Sequence, residues 1–364
     1  VKKVIAILLS ALMVFGLFGC GGTNDNTATD DKTIESLSIA FVPSKDSAEI
    51  LAAAEPLGRL LSEQLAALGW TIDPANIDVS VGTNYEVVGE GLQAGSIDLG
   101  FIPAGDYVTV HDAYPDDVNL LLTSSRAAVS VDVDPNLDAS DFRDWNKGVV
   151  TDADEPAAGY RSLVYVNVYT DKGKDLLAKA EAGTLTWDDI NSATIACGST
   201  SSGASYKYPS AWLNKLFGTA DKKVTLADCA NVVSGGNYSG NFELLLEGQV
   251  DITFGYADVR KDAASTEAYE ALKADGHFEG SETVFDVVKC IGVSDMIMND
   301  TISYGSDDKF TPELVDALRQ AFINLIATDE GKACLKPYSH TGYLITEDSD
   351  YDGVREVNKL FSDN

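Results

Sequence analysis

The residues best placed to do chemistry are Gly198-Ser199-Thr200-Ser201-Ser202-Gly203, a run of hydroxyls between two glycines. An apolar strand, 193–197, precedes the run, and a helix through Trp212, Leu213, Leu216 and Phe217 follows it. Hydroxyls beside the unpaired first-turn amides of a helix make an anion site, because the helix dipole favours negative charge there. The run is not a nucleotide-binding P-loop, since Ala204 and Ser205 stand where Lys and Ser or Thr would follow the second glycine. The plainer alternative is a Gly/Ser turn with an ordinary helix cap. His111, His277 and His340 are the only histidines, and none has a Ser nucleophile or second metal ligand near it in sequence. Asp348, Asp350, Asp352 and Gly353 imitate the start of a calcium loop, but Lys359 stands where its closing Glu belongs. Arg126 and Arg161 are within the range of candidates for an anion, with pairing to surface carboxylates the default reading.

Such a run is positioned by alternating strands and helices. Residues 37–42 read as an apolar strand, and Ile50, Ala54, Leu57, Leu60, Leu61, Leu65 and Leu68 as one face of a helix ended by Gly69. Strands are expected over 77–81, 97–102, 162–169 and 284–293. Helices are expected between Asn84 and Gly95, over 172–182 and 312–327, and near 353–361. This alternation indicates parallel β-α-β units in an α/β fold. The phrase Gly95-Ser96-Ile97-Asp98-Leu99-Gly100-Phe101 returns as Gly248-Gln249-Val250-Asp251-Ile252-Thr253-Phe254. The echo implies two similar lobes, each an open sheet, with a ligand cleft where the carboxyl ends of the strands face each other. We therefore expect lobe 1 over 37–166 and 286–364, with an exposed acidic insertion at about 130–158, and lobe 2 over 167–285. Two chain crossings would form the hinge.

The composition narrows the function. Fifty-seven Asp and Glu against 26 Lys and Arg give a net charge of −31, with no basic cluster, which argues against a nucleic-acid partner. Lys2 and Lys3 precede an apolar run from Val4 to Phe18, which reads as a secretory signal over 1–19 and is too short for a spanning helix. Leu17 three positions before Cys20, with Gly19 between, resembles the lipobox of bacterial lipoproteins, which makes Cys20 the expected lipidation site and membrane anchor. Residues 20–36 should form a flexible tether. In an oxidising compartment Cys197, Cys229, Cys290 and Cys334 allow up to two disulfides in three pairings, and their spacing does not suggest zinc.

From Leu37 to about Leu335 the chain resembles the substrate-binding lipoproteins of phosphate, phosphite and phosphonate ABC importers, the PhnD-like family. The resemblance rests on Phe41-Val42-Pro43-Ser44, Asn84-Tyr85, Gly95-Ser96-Ile97-Asp98, Ser199-Thr200-Ser201-Ser202-Gly203, Gln249-Val250-Asp251 and Asp295-Met296-Ile297. It implies a two-lobed periplasmic-binding-protein fold of type II, with two open sheets joined by a two-strand hinge. The protein would be an extracytoplasmic, lipid-anchored monomer that presents a phosphorus oxyanion to an ABC permease and its ATPase, with no enzymatic step, metal or cofactor. The ligand would lie on Ser199, Thr200 and Ser201, with Tyr85 from the first lobe, Tyr238 where the family often has a histidine, Asp258 where it has a glutamate, and Asp295. Ile102 departs from a tyrosine found in some members. Alternatives are the same fold tuned to a phosphate ester or another oxyanion, and a surface phosphatase-type enzyme.

Overall fold

The computed structural model describes residues 32–43, 47–200 and 202–362. The expected signal 1–19, Cys20, most of the tether, and the candidates Ser44 and Ser201 lie outside the described residues. No helix among the described residues is long and apolar enough to cross a membrane.

Two open sheets form the body. In the first, the strands run in the order Gly342–Leu344, Val118–Val129, Thr301–Gly305, Leu99–Ile102, Leu37–Phe41, Ile77–Val81, with Asp152–Ala157 added on Val118–Val129. Leu37–Phe41 is parallel to both of its neighbours, as the β-α-β reading requires. In the second sheet the order is Val288–Val293, Ser162–Asn167, Ile252–Tyr256, Ile195–Ala196, Val232–Val233, and the last three are mutually parallel. The expected helix through Ile50 and Leu68 is two helices, Ser47–Ala54 and Leu57–Ala67, because Pro56 interrupts it. The start of the expected strand 284–293 is instead a helical turn, Val284–Val287, held by a Thr283–Asp286 capping box.

The repeated phrase is the same device in both halves. Gly95 and Gly248 end helices at φ +69° and +70°, a left-handed conformation that only glycine adopts without strain. Asp98 then accepts a hydrogen bond from the Ser38 amide at 2.7 Å, and Asp251 one from the Thr194 amide at 2.8 Å. Each carboxylate ties the start of one parallel strand to the start of its neighbour. The helices before the two glycines, Tyr85–Gln93 and Tyr238–Leu246, open alike: Asn84 and Asn237 cap them through Oδ1, accepting from Val87 and Gly240, and a tyrosine takes the first helical position.

The sheets meet at a short antiparallel pair, in which Tyr160 faces Ile297 and Gly159 faces Met298. This is the two-strand hinge, and it moves the expected lobe boundaries. Ser162–Asn167 and Val288–Val293 belong to the second sheet, not to the first lobe. Both are mostly apolar and mostly buried, a pattern that does not reveal which sheet a strand joins. The acidic stretch 130–158 is likewise not a free insertion. Trp145 is fully buried in the second sheet's core, and Asn146 exchanges two hydrogen bonds with the Cys290 backbone at 2.8 and 2.9 Å. One tryptophan docks a segment most of whose carboxylates are exposed. All four cysteines in the described residues are unpaired: Cys290 and Cys334 lie in the cores of different halves, while Cys197 and Cys229 share a third cluster.

A Cβ added at Gly159 would lie 2.5 Å from the Ile297 carbonyl oxygen, inside the hinge pair. Gly159→Ala is expected to lower the unfolding free energy by about 1–3 kcal/mol in urea titrations. Gly148→Ala, where nothing lies within 4 Å of the new atom, should change it by less than about 0.5 kcal/mol.

Candidate functional site

Tyr160 of the short antiparallel pair lines two cavities, each bordered by residues of both halves. One, of about 330 Å³, is closed by Tyr85 and Asp106 from the first half and by Gly203 and Lys207 from the second. The other, of about 390 Å³, is walled by Arg126 from the first half and by Tyr238, Tyr256 and Lys261 from the second. Both lie where open α/β sheets bind ligands, at the ends of parallel strands where helices begin.

The hydroxyl run leaves Ile195–Ala196 and enters a helical run that starts as a π-helix, Gly203–Lys207, and continues as Tyr208–Phe217. Ser202 caps it, accepting from the Ser205 amide at 3.3 Å, and its hydroxyl lies 3.1 Å from that of Tyr238. Ser199 and Thr200 are exposed just before it. Tyr85 heads its helix into the smaller cavity, 37 % exposed, and burial beside Asp300 and Asp106 raises its phenol above the usual range. Tyr238 heads the equivalent helix into the larger cavity, edge-on to Tyr256 with ring centres 5.0 Å apart. The structure thus brings Tyr85, Tyr238 and the end of the hydroxyl run to one cleft.

The two carboxylates expected beside them are otherwise employed. Asp258 borders the larger cavity but is buried, and its oxygens accept from the Arg260 Nε at 2.9 and 3.2 Å, from the Arg260 amide at 3.0 Å and from the Tyr165 hydroxyl at 3.3 Å. Arg260 is fully buried too, donating to the carbonyls of Trp145 and Val288 and lying 4.6 Å from the centre of the Phe285 ring. A carboxylate so occupied balances a buried guanidinium and holds the 130–158 segment in place. Asp295 is exposed and pairs with Lys215 at 3.0 Å, and it lines neither cavity. It follows the crossing back from the second sheet, and sequence order alone could not show that the chain turns its side chain outward there.

Along the smaller cavity, beside Asp300, stands Asp106. It sits in the first turn of the helix Ala104–Ala113, directly after the strand Leu99–Ile102, a position that the strand-end rule points to although no motif marks it. Its Oδ2 is buried without a hydrogen-bond partner, and burial, then repulsion from Glu86 and Asp300, pushes the carboxyl up to about 6 against the attraction of Lys207. Tyr160 and Lys207 were also missed, and nothing in their neighbourhood in sequence marks them. Asp348, from the apparent calcium loop, is engaged by Arg355 at 2.7 Å and by the Tyr107 hydroxyl at 2.8 Å.

A family model described as "ABC transporter, phosphonate, periplasmic substrate-binding protein" matches residues 39–351. No curated protein matches the chain. Among solved structures, Mh-p37 of Mycoplasma hyorhinis aligns with a TM-score of 0.59 at 14 % identity, covering 90 % of this chain and 100 % of its own. XAC2383 of Xanthomonas citri bound to ATP aligns at 0.51 and 11 %, covering 91 % and 100 %. PhnD1 of Prochlorococcus marinus in complex with methylphosphonate aligns at 0.44 and 13 %, covering 91 % and 98 %. The fold, two open α/β sheets, is that of a periplasmic substrate-binding protein.

Asp258→Ala should cost about 3–5 kcal/mol in urea unfolding, because it strands a buried guanidinium, whereas Asp295→Ala should change stability by no more than about 1 kcal/mol. Asp106 gives a pH-dependent signature. Its pKa is higher folded than unfolded, so it costs stability as pH rises from about 4 to about 6 and costs the full amount above that. Asp106→Asn should therefore be more stable than the parent by on the order of 1–3 kcal/mol at pH 7 and lose that advantage below pH 4, as read from unfolding curves across pH.

Proposed function

The chain belongs to the family of periplasmic substrate-binding proteins of phosphonate ABC transporters, and from that premise we propose that its ligand is a phosphorus oxyanion held in the interlobe cleft. Members of the family act outside the cytoplasm, capturing a small ligand for the permease and ATPase of an importer. The reading of the ligand is carried by one juxtaposition: the helix start at Gly203 and the Lys207 ammonium border the same cavity as Tyr85 of the other half. First-turn amides, an ammonium and a phenol all donate hydrogen bonds, and together they suit a tetrahedral oxyanion. Ser199 and Thr200 lie exposed just before that helix start and line neither cavity, so in this reading their hydroxyls would meet the ligand only as the halves close.

The carboxylate that selects among oxyanions is then Asp106. Facing a mono-protonated phosphonate or phosphate, an ionised carboxylate accepts from the P–OH group. Sulfate carries no proton at neutral pH and would meet only repulsion. The unsatisfied Oδ2 is a cost that the empty protein carries and the right ligand removes. Closing of the two halves about Gly159–Tyr160 and Ile297–Met298 would bring Tyr85 and the Gly203 helix start onto opposite sides of the ligand. No bond needs to be made or broken. In this reading residues 1–19 direct export, Cys20 carries the lipid, and the chain acts as a monomer on its tether.

Calorimetric titration at pH 7 with methylphosphonate, phosphite, phosphate and sulfate tests the reading. One-to-one binding of at least one phosphorus species is expected, without a response to sulfate. The pair Ser199→Ala with Thr200→Ala should weaken binding by about tenfold or more, the value of one or two charge-assisted hydrogen bonds. Silence toward every phosphorus species from folded, ligand-free protein, or equal affinity for sulfate, would overturn it.

A further inference from the structure

Arg126 stands on the edge of the larger cavity, near the end of the strand Val118–Val129, with its side chain exposed. In a chain of net charge −31, nearly every guanidinium is taken: Arg59, Arg143, Arg260, Arg319 and Arg355 each hold a carboxylate. Arg161 donates to the Ser294 carbonyl at 3.1 Å. Among the described residues Arg126 has neither an ion-pair partner nor a hydrogen-bond partner for its side chain. Asp132, Asp152 and Asp258 line the same cavity, but Asp152 pairs with Lys261 and Asp258 with Arg260, and none of the three pairs with Arg126. Lys261 reaches the same cavity from the second half, paired with Asp152, whose own side chain is two-thirds exposed and free to swing into water.

The cavity is also larger than a phosphoryl group alone requires. The two spaces of about 330 and 390 Å³ share Tyr160 as a lining residue, and each on its own is in the range that organic ligands fill. Tyr160, Tyr238 and Tyr256 give the Arg126 side flat apolar walls with polar tips. We propose that this side is a second anion subsite, so that the ligand is a phosphorus oxyanion carrying a further anionic group on an organic body, the phosphoryl end lying at Gly203 and the second anion at Arg126. A planar guanidinium favours a carboxylate or a second phosphoryl group, which it binds through two parallel N–H donors. The inference rests on the reading of the Gly203 end as the phosphoryl site and adds a specificity-determining residue to it.

The test compares methylphosphonate, which has one anionic group, with 3-phosphonopropionate, which has two, and with glutarate, which has two carboxylates and no phosphorus, by calorimetry on the signal-free protein and on Arg126→Gln. The wild type should bind 3-phosphonopropionate at least about tenfold more tightly than methylphosphonate, and Arg126→Gln should remove most of that advantage while leaving methylphosphonate affinity within about threefold. Glutarate binding that depends on Arg126, with no response to either phosphonate, would support the subsite and overturn the phosphoryl reading. Equal affinity of the wild type for the two phosphonates, equal loss of both in Arg126→Gln, or silence toward all three probes from folded protein would overturn the subsite.

Discussion

Where the two sheets are joined strand to strand, very little backbone does it. The hinge is a pair of two-residue strands, Gly159–Tyr160 against Ile297–Met298. Its smallness follows from what it must do: a broad shared sheet would lock the halves, whereas two residues a side can bend while keeping their register. Tyr160 belongs to that pair and lines both cavities, so the link between the halves is also part of the cavity wall. A second link runs beside it. Val357 of the C-terminal helix packs with Ala204 and Tyr208 of the second half and with Ile297 of the hinge, so the chain end rests on both halves at once.

The charge of the protein makes sense only when it is divided by location. At −31 overall the surface repels anions at long range, yet screening confines that repulsion to about 8–10 Å at physiological salt. Within the cleft the local groups decide, and there Lys207, Lys261 and Arg126 stand beside tyrosines and among Asp106, Asp132, Asp152, Asp258 and Asp300. Asp258 might have spoiled this balance, and the buried Arg260 cancels it. The pair also anchors the acidic stretch 130–158 through the Trp145 carbonyl, so one ion pair serves both the electrostatics of the cleft and the packing of its wall.

Much of this was legible in the sequence, and for physical reasons. Strands and helices announce themselves by period, and the echo of Gly95–Phe101 in Gly248–Phe254 marks a duplicated unit because its glycines and aspartates perform geometric duties that few residues can share. The hydroxyl run was legible because a helix start is a local feature. What the sequence does not show is what long-range placement decides. Ser162–Asn167 and Val288–Val293 are buried on both faces, so their pattern carries no address. Asp258 and Asp295 stood at plausible positions, but whether a carboxylate meets a ligand, a buried arginine or water depends on residues tens of positions away. Arg126 was visible, yet the number of acids around it made pairing the natural expectation, and only the folded surface leaves it alone.

The shared opening of the two Asn-Tyr helices has a consequence for how a ligand is told which way round to lie. Asn84-Tyr85 and Asn237-Tyr238 begin their helices with the same backbone conformation and the same cap, one on each side of the cleft. A receptor built from two such copies alone would be nearly a palindrome, and a small ligand could enter it in two opposed orientations of almost equal energy. Directionality then has to come from the residues that the copies do not share: Asp106 and Lys207 in one cavity, Arg126 and Lys261 in the other. The duplicated framework makes a place for a ligand, and the unmatched charges give that place a head and a tail.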